Sequence, residues 1–308
     1  MNTISLVIAT YNGAKKITRT LQSLTEQTLD KALWSVVVVN NNSSDNTAEV
    51  VEEFIAAHPE LNIKLVNEPQ QGLSFARNRG IDESEGEYIA IIDDDEIACP
   101  NLLVEYFEFL DRHPYAVAAG GKITPLYPTE RPSWLSDITE RPIAGTLDLG
   151  SEVTLFPEGK YFGGGNMCLR RKAIERYGKF DTNLGRRGSK LLGGEEKELY
   201  MRYYKAGEDV CYLPNAEIFH VIDESRLTLD YFKAVCYRIG QSERIRTLSV
   251  SKRAYRKRVV SEIVKWFATL IFGLYHCLLL QFGKAKSLVI MRQQISRGLG
   301  DANIDKEL

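Results

Sequence analysis

The chain has 308 residues, 44% hydrophobic and 26% charged, with a formal net charge of -2. That composition excludes wholesale disorder and collagen-like structure, and the length can bury a full core in one large domain or one domain plus an appendage. The near-zero charge conceals an asymmetry, because residues 1–225 hold 23 Lys+Arg against 35 Asp+Glu and residues 226–308 hold 16 against 6.

Residues 4–9 form a short apolar run with β-branched members that ends in Thr10, Tyr11, Asn12 and Gly13, followed by helical spacing over 14–24. No basic segment precedes this run, so it reads as a first strand rather than a signal peptide. A second apolar run, 34–39, closes in the polar stretch 40–46, and a helix is expected over 48–57. Residues 63–66 and 88–92 are further strands, the latter running straight into Asp93-Asp94-Asp95-Glu96. Strands apolar throughout and alternating with helices predict an α/β fold with a mostly parallel central sheet covered on both faces. Ligands of such sheets bind beyond the carboxyl ends of the strands, where three polar clusters converge here.

Residues 101–111 read as a helix and 117–123 as a strand. The stretch 124–159, rich in Pro, Trp and acid, lacks periodicity and suits a substrate-binding loop. Gly163-Gly164-Gly165-Asn166 precedes apolar 167–169 and basic Arg170-Arg171-Lys172. Gly193-Gly194-Glu195-Glu196 opens a helix that Gly207 stops. Residues 211–213 and 217–221 are short strand candidates. From 227 to 248 the spacing predicts one or two amphipathic helices. Five basic residues lie between 252 and 258, then 266–282 runs without a formal charge. As a helix that last run would be about 26 Å long, short of the roughly 30 Å bilayer core, so the tail reads as an interfacial anchor with Trp266 and Tyr275. A spanning or re-entrant helix, and packing against the body or against a second copy in a homo-oligomer, are the competing readings. No base-reading module is present, so nucleic acid is not an expected partner. The five cysteines (99, 168, 211, 236, 277) are odd in number and never form C-x-x-C, which fits a reducing, cytoplasmic compartment.

Six signals in order resemble the family 2 glycosyltransferases: SLVIATYNG, VVNNNSSDNT, GLSFARNRGI, IIDDDE, GGGNMCLRR and GGEEKELYMRYYKAG. The resemblance covers about residues 4–246 and implies a GT-A fold. It divides the chain into a catalytic domain, 1–225, with a nucleotide-sugar half (1–123) and an acceptor half (124–225). Residues 226–308 are then a basic helical extension, with 263–282 as the candidate membrane-associating segment on the strength of its composition. The implied activity is a metal-dependent, inverting transfer of a sugar from a nucleotide-diphosphate sugar to a glycan or lipid-linked glycan, by an enzyme peripheral on the cytoplasmic face of the plasma membrane. A sugar-1-phosphate nucleotidyltransferase and a non-catalytic sugar-nucleotide or glycan-binding module are the alternatives. Against the first, the opening strand ends in ATYNG rather than in a basic, glycine-rich phosphate loop.

The chemistry of the residues agrees with this. A departing diphosphate concentrates negative charge that Mn2+ or Mg2+ can neutralise, and such ions take one or two carboxylates plus phosphate oxygens. By resemblance Asp95 ligates the cation with Asp93 and His220, whose imidazole favours Mn2+, and Asp93 or Asp94 holds the ribose or a metal-bound water. Ala9, Thr10, Tyr11, Asn12, Asn40, Asn41 and Asp45 are expected around the base and ribose, with Arg77, braced by Asn78, on phosphate or base. The family often has Asp-Asp where this chain has Asn40-Asn41, which leaves a UDP-sugar favoured but GDP- and dTDP-sugars open. Asp45 also suits a helix cap. Glu196 aligns with the base that takes the acceptor's proton, Glu195 with a supporting group, and the two roles can be exchanged. Gly164, Gly165, Asn166 and Trp134 are expected at the acceptor, whose identity rests on residues 124–160 and 185–190.

Overall fold

The computed structural model describes residues 3–187 and 192–306. The chain divides into two compact units, each with its own apolar core. The first comprises Met1–Leu126, Thr146–Thr182 and Glu195–Val221, and the second Tyr127–Gly145, Asn183–Gly194 and Ile222–Leu308. This division departs from one near residue 225 in that two segments of the acceptor half, around 127–145 and 183–194, join the C-terminal helices.

In the first unit the elements are β1 (Ile4–Thr10), α1 (Ile17–Leu24), β2 (Trp34–Asn40), α2 (Thr47–Ala57), β3 (Ile63–Asn67), α3 (Leu73–Glu83), β4 (Tyr88–Asp93), β5 (Glu96–Ala98), α4 (Leu102–Arg112) and β6 (Ala116–Leu126). After α5 (Asp137–Ala144), which belongs to the second unit, come β7 (Thr154–Leu155), β8 (Met167–Arg170), α6 (Arg171–Tyr177), α7 (Glu195–Lys205) and β9 (Asp209–Val221). Among the described residues all nine strands form one sheet, ordered β3-β2-β1-β4-β8-β6-β9-β5 with β7 on β9. Strands β3, β2, β1 and β4 are parallel, and β1 is buried along its whole length, as an all-apolar run requires. Beyond β4 the pairings are antiparallel except β6 with β9, so the parallel expectation holds for the nucleotide half of the sheet only. The two short strands expected at 211–213 and 217–221 are one strand, whose register against β6 shifts between Gly121 and Ile123.

The second unit contains α5, capped by Ser136 and Thr139, and α8 (Leu229–Val250), α9 (Lys252–Leu278) and α10 (Phe282–Gly300). Phe232, Val235 and Cys236 of α8 pack on Leu288, Met291 and Ile295 of α10, with Leu135 and Ile143 completing the cluster. Helices α8 and α10 cross at Gly240 and Gly298. A Cβ added at Gly298 would stand 1.9 Å from the Tyr237 carbonyl oxygen, and one at Gly240 would stand 2.2 Å from that of Ile295. Backbone meets backbone there, so neither neighbour can swing aside. Gly298→Ala is therefore expected to lower stability by about 1–3 kcal/mol, as overpacked contacts do. A urea melt would measure it, and a shift of less than about 0.5 kcal/mol would contradict so close a crossing.

Candidate active site

The parallel register places Thr10 beside Asn40 and Ala9 beside Asp93, so the ends of β1, β2 and β4 lie level along one edge. Tyr11 leaves that edge 40% exposed, while Ala9 and Thr10 are buried in it. Asn12, in left-handed backbone at φ 48°, ties the first loop to the second: its N–H donates to Ser43 Oγ (3.0 Å) and its Oδ1 accepts from the Ser44 N–H (2.8 Å). Asp45 accepts from the backbone N–H groups of Thr47 (3.2 Å) and Ala14 (3.3 Å) and from the Thr47 hydroxyl. Slight burial opposes ionisation, but these bonds hold its carboxyl below the usual range. From one position ahead of the N-cap, Asn46, it satisfies the first N–H of α2.

The two asparagines expected at the base face inward. Asn41 is buried, its amide donating to the carbonyls of Glu68 (3.0 Å) and Gln70 (2.7 Å) and its Oδ1 accepting from the Gly72 N–H (2.8 Å). Both amide hydrogens and one lone pair of its carbonyl oxygen thus serve the loop that leads into α3. Asn40 donates to Asn67 Oδ1 (3.0 Å) and accepts from the Ser43 N–H (3.3 Å), again within the protein.

The acidic turn distributes its four carboxyls differently from one another. Asp94 is buried, taking the Thr10 hydroxyl at 2.6 Å and the Lys16 ammonium at 3.0 Å. Burial and the neighbouring Asp95 push its pKa up, opposed by Lys16 and Thr10. Its carboxyl is thus engaged within the protein, by Thr10 and Lys16. Asp95 lies 3.6 Å from His220 Nε2, because β5 pairs with β9 at Glu96 and His220 and the Val221 N–H donates to the Asp95 carbonyl (3.0 Å). Asp93 instead accepts from Arg77. Among the described residues no group of three or more His, Cys, Asp or Glu side chains is placed to hold a metal ion. Asp95 and His220 could supply two ligands to a small divalent cation that draws the rest from phosphate and water.

Arg77, expected on the nucleotide, is 1% exposed. Its Nη1 donates to Glu195 Oε1 and its Nη2 to Asp93 Oδ1, both at 2.7 Å, and its guanidinium lies 5.6 Å from the centre of the Phe180 ring. Burial works against its charge, yet Asp93 and Glu195 hold its pKa above the ordinary value. Asn78 braces Phe180 rather than Arg77, donating to its carbonyl (2.9 Å) and accepting from its N–H (3.0 Å). Glu195, also buried, starts α7 directly after Gly194 at φ 92°. Glu196, the next residue, is partly exposed, and burial together with the adjacent Glu195 carboxylate raises its pKa to about 8. Two carboxyls on one helical turn are thereby made unlike: one ion-paired, the other holding its proton at neutral pH.

Asn166, expected to meet the acceptor, is fully buried. Its Oδ1 takes the Tyr106 hydroxyl (2.6 Å), and its amide donates to the carbonyls of Lys122 (2.9 Å) and Ala216 (2.8 Å). It fastens β6, β9 and α4 together and has nothing left for a sugar. Gly164 and Gly165 leave room for charged side chains behind them: added Cβ atoms would stand 3.1 Å from Arg77 Nη2 and 2.0 Å from Glu96 Oε1. Trp134 belongs to the second unit, its ring 5.2 Å from that of Phe232 and its carbonyl accepting from Ser287. Arg170 and Arg171 donate to backbone carbonyls at 110–116 and 84–86, so they are not a basic surface. Residues 188–190, expected to help shape the acceptor pocket, lie outside the described residues.

Two site residues escape a reading of the sequence alone. Lys16 sits between Asp94 (3.0 Å) and Asp95 (3.9 Å), and its cue was a lysine in the turn that follows the first strand. Glu96, paired in register with His220, donates nothing when ionised and accepts the Asp93 N–H at 2.8 Å; burial and then Asp93 push its pKa well up. The run of four acids signalled it, but not that it turns inward.

The family model described as glycosyl transferase family 2 matches residues 5–178. Among relatives, the glucosyl-dolichyl phosphate glucuronosyltransferase of Haloferax volcanii is 27% identical over 274 residues, 82% of each chain. The succinoglycan biosynthesis protein ExoM of Rhizobium meliloti is 26% identical over 242 residues, 78% of this chain and 73% of its own. Among solved structures, a mannosyltransferase from Pyrobaculum calidifontis in complex with GDP-Man and Mn2+ superposes with a TM-score of 0.62 at 16% identity, covering 96% of this chain and 87% of the other. S. aureus TarS 1-349 in complex with UDP-GlcNAc gives 0.58 at 18% identity, over 95% and 90%. These two likenesses establish the fold.

Removing Arg77 strands two carboxylates, one of them buried. Arg77→Met is expected to lower stability by about 3–5 kcal/mol, with Arg77→Lys, which keeps the charge but not the fork, in between. Denaturant melts of the three proteins would test the order, and equal midpoints for Arg77→Met and the parent would contradict the clamp.

Proposed function

The chain belongs to glycosyl transferase family 2, and from that premise we propose a metal-dependent, inverting transfer of a sugar from a nucleotide-diphosphate donor, with Glu196 as the general base. The observation that carries this reading is the unlike pair at the start of α7. Glu195 is held by Arg77, while Glu196 is partly open and tuned to about 8, near the pH at which a base must exchange protons. In the transfer, the acceptor hydroxyl oxygen attacks the anomeric carbon from the face opposite the leaving group. Its proton passes to a Glu196 carboxylate oxygen as the bond from carbon to diphosphate oxygen breaks, and the electron pair leaves with the diphosphate.

Asp95 and His220 would hold a divalent cation, Mn2+ by ligand type, whose bound form would neutralise the diphosphate as it departs. Tyr11, exposed at the end of β1, is assigned to cover the base, with Ala9, Thr10, Asn12 and Asn40 forming the backbone edge beneath it. Arg77, Asn78, Asp93, Asn41 and Asp45 support these residues from within. A UDP-sugar is the favoured donor. The name of one relative describes a dolichyl-phosphate-linked glucose as acceptor, which supports a lipid-linked glycan here; a lipid-linked acceptor and the basic C-terminal helices support a peripheral position on the cytoplasmic face of the membrane.

Glu196→Gln is expected to lower the transfer rate by about 10²–10⁴-fold while leaving donor binding intact in a thermal-shift titration with UDP-sugar and Mn2+. Undiminished turnover would remove Glu196 from the role.

Because the protonated carboxyl cannot accept a proton, kcat/KM should climb with pH below about 8 and level off above it. A profile flat from pH 6 to pH 9 would contradict this. Asp95→Asn should raise the Mn2+ concentration for half-maximal activity by about 10–100-fold, and an unchanged metal titration would argue against Asp95 as ligand.

A further inference from the structure

Helix α9 is built inside out. On the face turned toward α8 and α10, Arg258 bonds to Glu243 (2.8 Å) and Glu262 (2.6 Å), Glu262 accepts from Arg292 (2.9 Å) and Ser296 (3.2 Å), and the Trp266 indole donates to Ser296 (3.0 Å). Arg292 also reaches Thr269, and Glu262 and Thr269 are buried. The opposite face carries Val260, Val264, Phe267, Ile271, Leu274 and Leu278, each at least 60% exposed. Their spacing of three, four and seven residues sets them along one stripe. An ordinary surface helix does the reverse, burying its apolar stripe and wetting its polar one. Here the ion pairs fix the orientation, so the apolar stripe cannot turn inward without breaking them.

We infer that this stripe lies flat in the interface of an anionic bilayer, with α9 parallel to the membrane plane and its polar face kept on α8 and α10. The occupant follows from the charges: exposed Lys252, Arg253, Arg256 and Lys257 precede the stripe on the same helix, and exposed Lys286 follows on α10. Cations bordering an apolar stripe match acidic headgroups above acyl chains. By length and composition α9 could cross a membrane, the one such helix among the described residues. Crossing, however, would separate Arg258 from Glu243, and Glu262 and Thr269 from Arg292, and carry these polar groups toward hydrocarbon. The interfacial role of Trp266 expected from sequence is also corrected, since its indole is engaged with Ser296. This deepens the membrane placement proposed above, and its test needs neither donor nor cation, so it stands or falls separately from the catalytic assignment.

The test is flotation of the full chain with vesicles of phosphatidylcholine mixed with phosphatidylglycerol, and of phosphatidylcholine alone. The parent protein should float with the anionic vesicles, more weakly at high salt, and be released by alkaline carbonate. Phe267→Glu with Ile271→Glu, both at exposed positions, should cut partitioning by about 100-fold with an unchanged melting temperature. Replacing Lys252, Arg253, Arg256 and Lys257 by Gln should cut binding to anionic vesicles by about fivefold per charge and remove the salt dependence. Equal flotation of the acidic variant would overturn the inference. So would resistance to carbonate, which would mean a spanning helix. So too would a lipid-free dimer in sedimentation that the acidic variant dissolves, with no flotation of the parent, which would mean that a second copy covers the stripe.

Discussion

A buried guanidinium holds the catalytic half together. Arg77 joins the end of β4, through Asp93, to the first residue of α7, through Glu195, across 118 positions of sequence. A charge removed from water so completely must be paired, and both partners must arrive at fixed positions for the pairing to form. Phe180 covers its face and Gly164 leaves space at its edge. The position of Glu196 is thus inherited: once Glu195 is fixed by Arg77, its neighbour on the helix can point only where the turn sends it.

The fold of the nucleotide half was legible because its signals are local. An unbroken apolar strand ending in polar residues states both its burial and its open end, and β1, β2 and β4 all have that form. The direction of a polar side chain at such an end is not local. Asn41, Asn166 and Arg77 were read as ligand contacts because they are polar and sit in the right motifs, yet each is consumed by backbone or by buried charge. Their partners lie 16 to 118 residues away, and no spacing rule reaches that far. The same limit explains the C-terminal helices. Periodicity revealed amphipathic segments in the tail, but only the pairing of Arg258 with Glu243 and of Glu262 with Arg292 shows which face of α9 is turned inward.

Both units therefore use buried ion pairs as orienting devices more than as sources of stability. Replacing such pairs by apolar residues of the same shape is often neutral or better for stability, so their value lies in specifying one arrangement. In the first unit Arg77 makes two adjacent glutamates chemically different. In the second the Glu243–Arg258–Glu262–Arg292 chain gives α9 one polar face to hide and one apolar face to show.

The charge count around the candidate site completes the argument. Asp93 to Glu96, Glu195 and Glu196 bring six carboxyls to one edge, against the two permanent cations Lys16 and Arg77. Burial first, and the neighbouring carboxylates after it, raise the proton affinity of Asp94, Glu96 and Glu196. An anionic diphosphate entering such a field would be repelled unless positive charge came with it. The surplus of carboxylates is thus itself an argument for a cation-bound donor, and Asp95, beside an imidazole rather than an arginine, is the carboxylate of the set whose neighbour suits that cation.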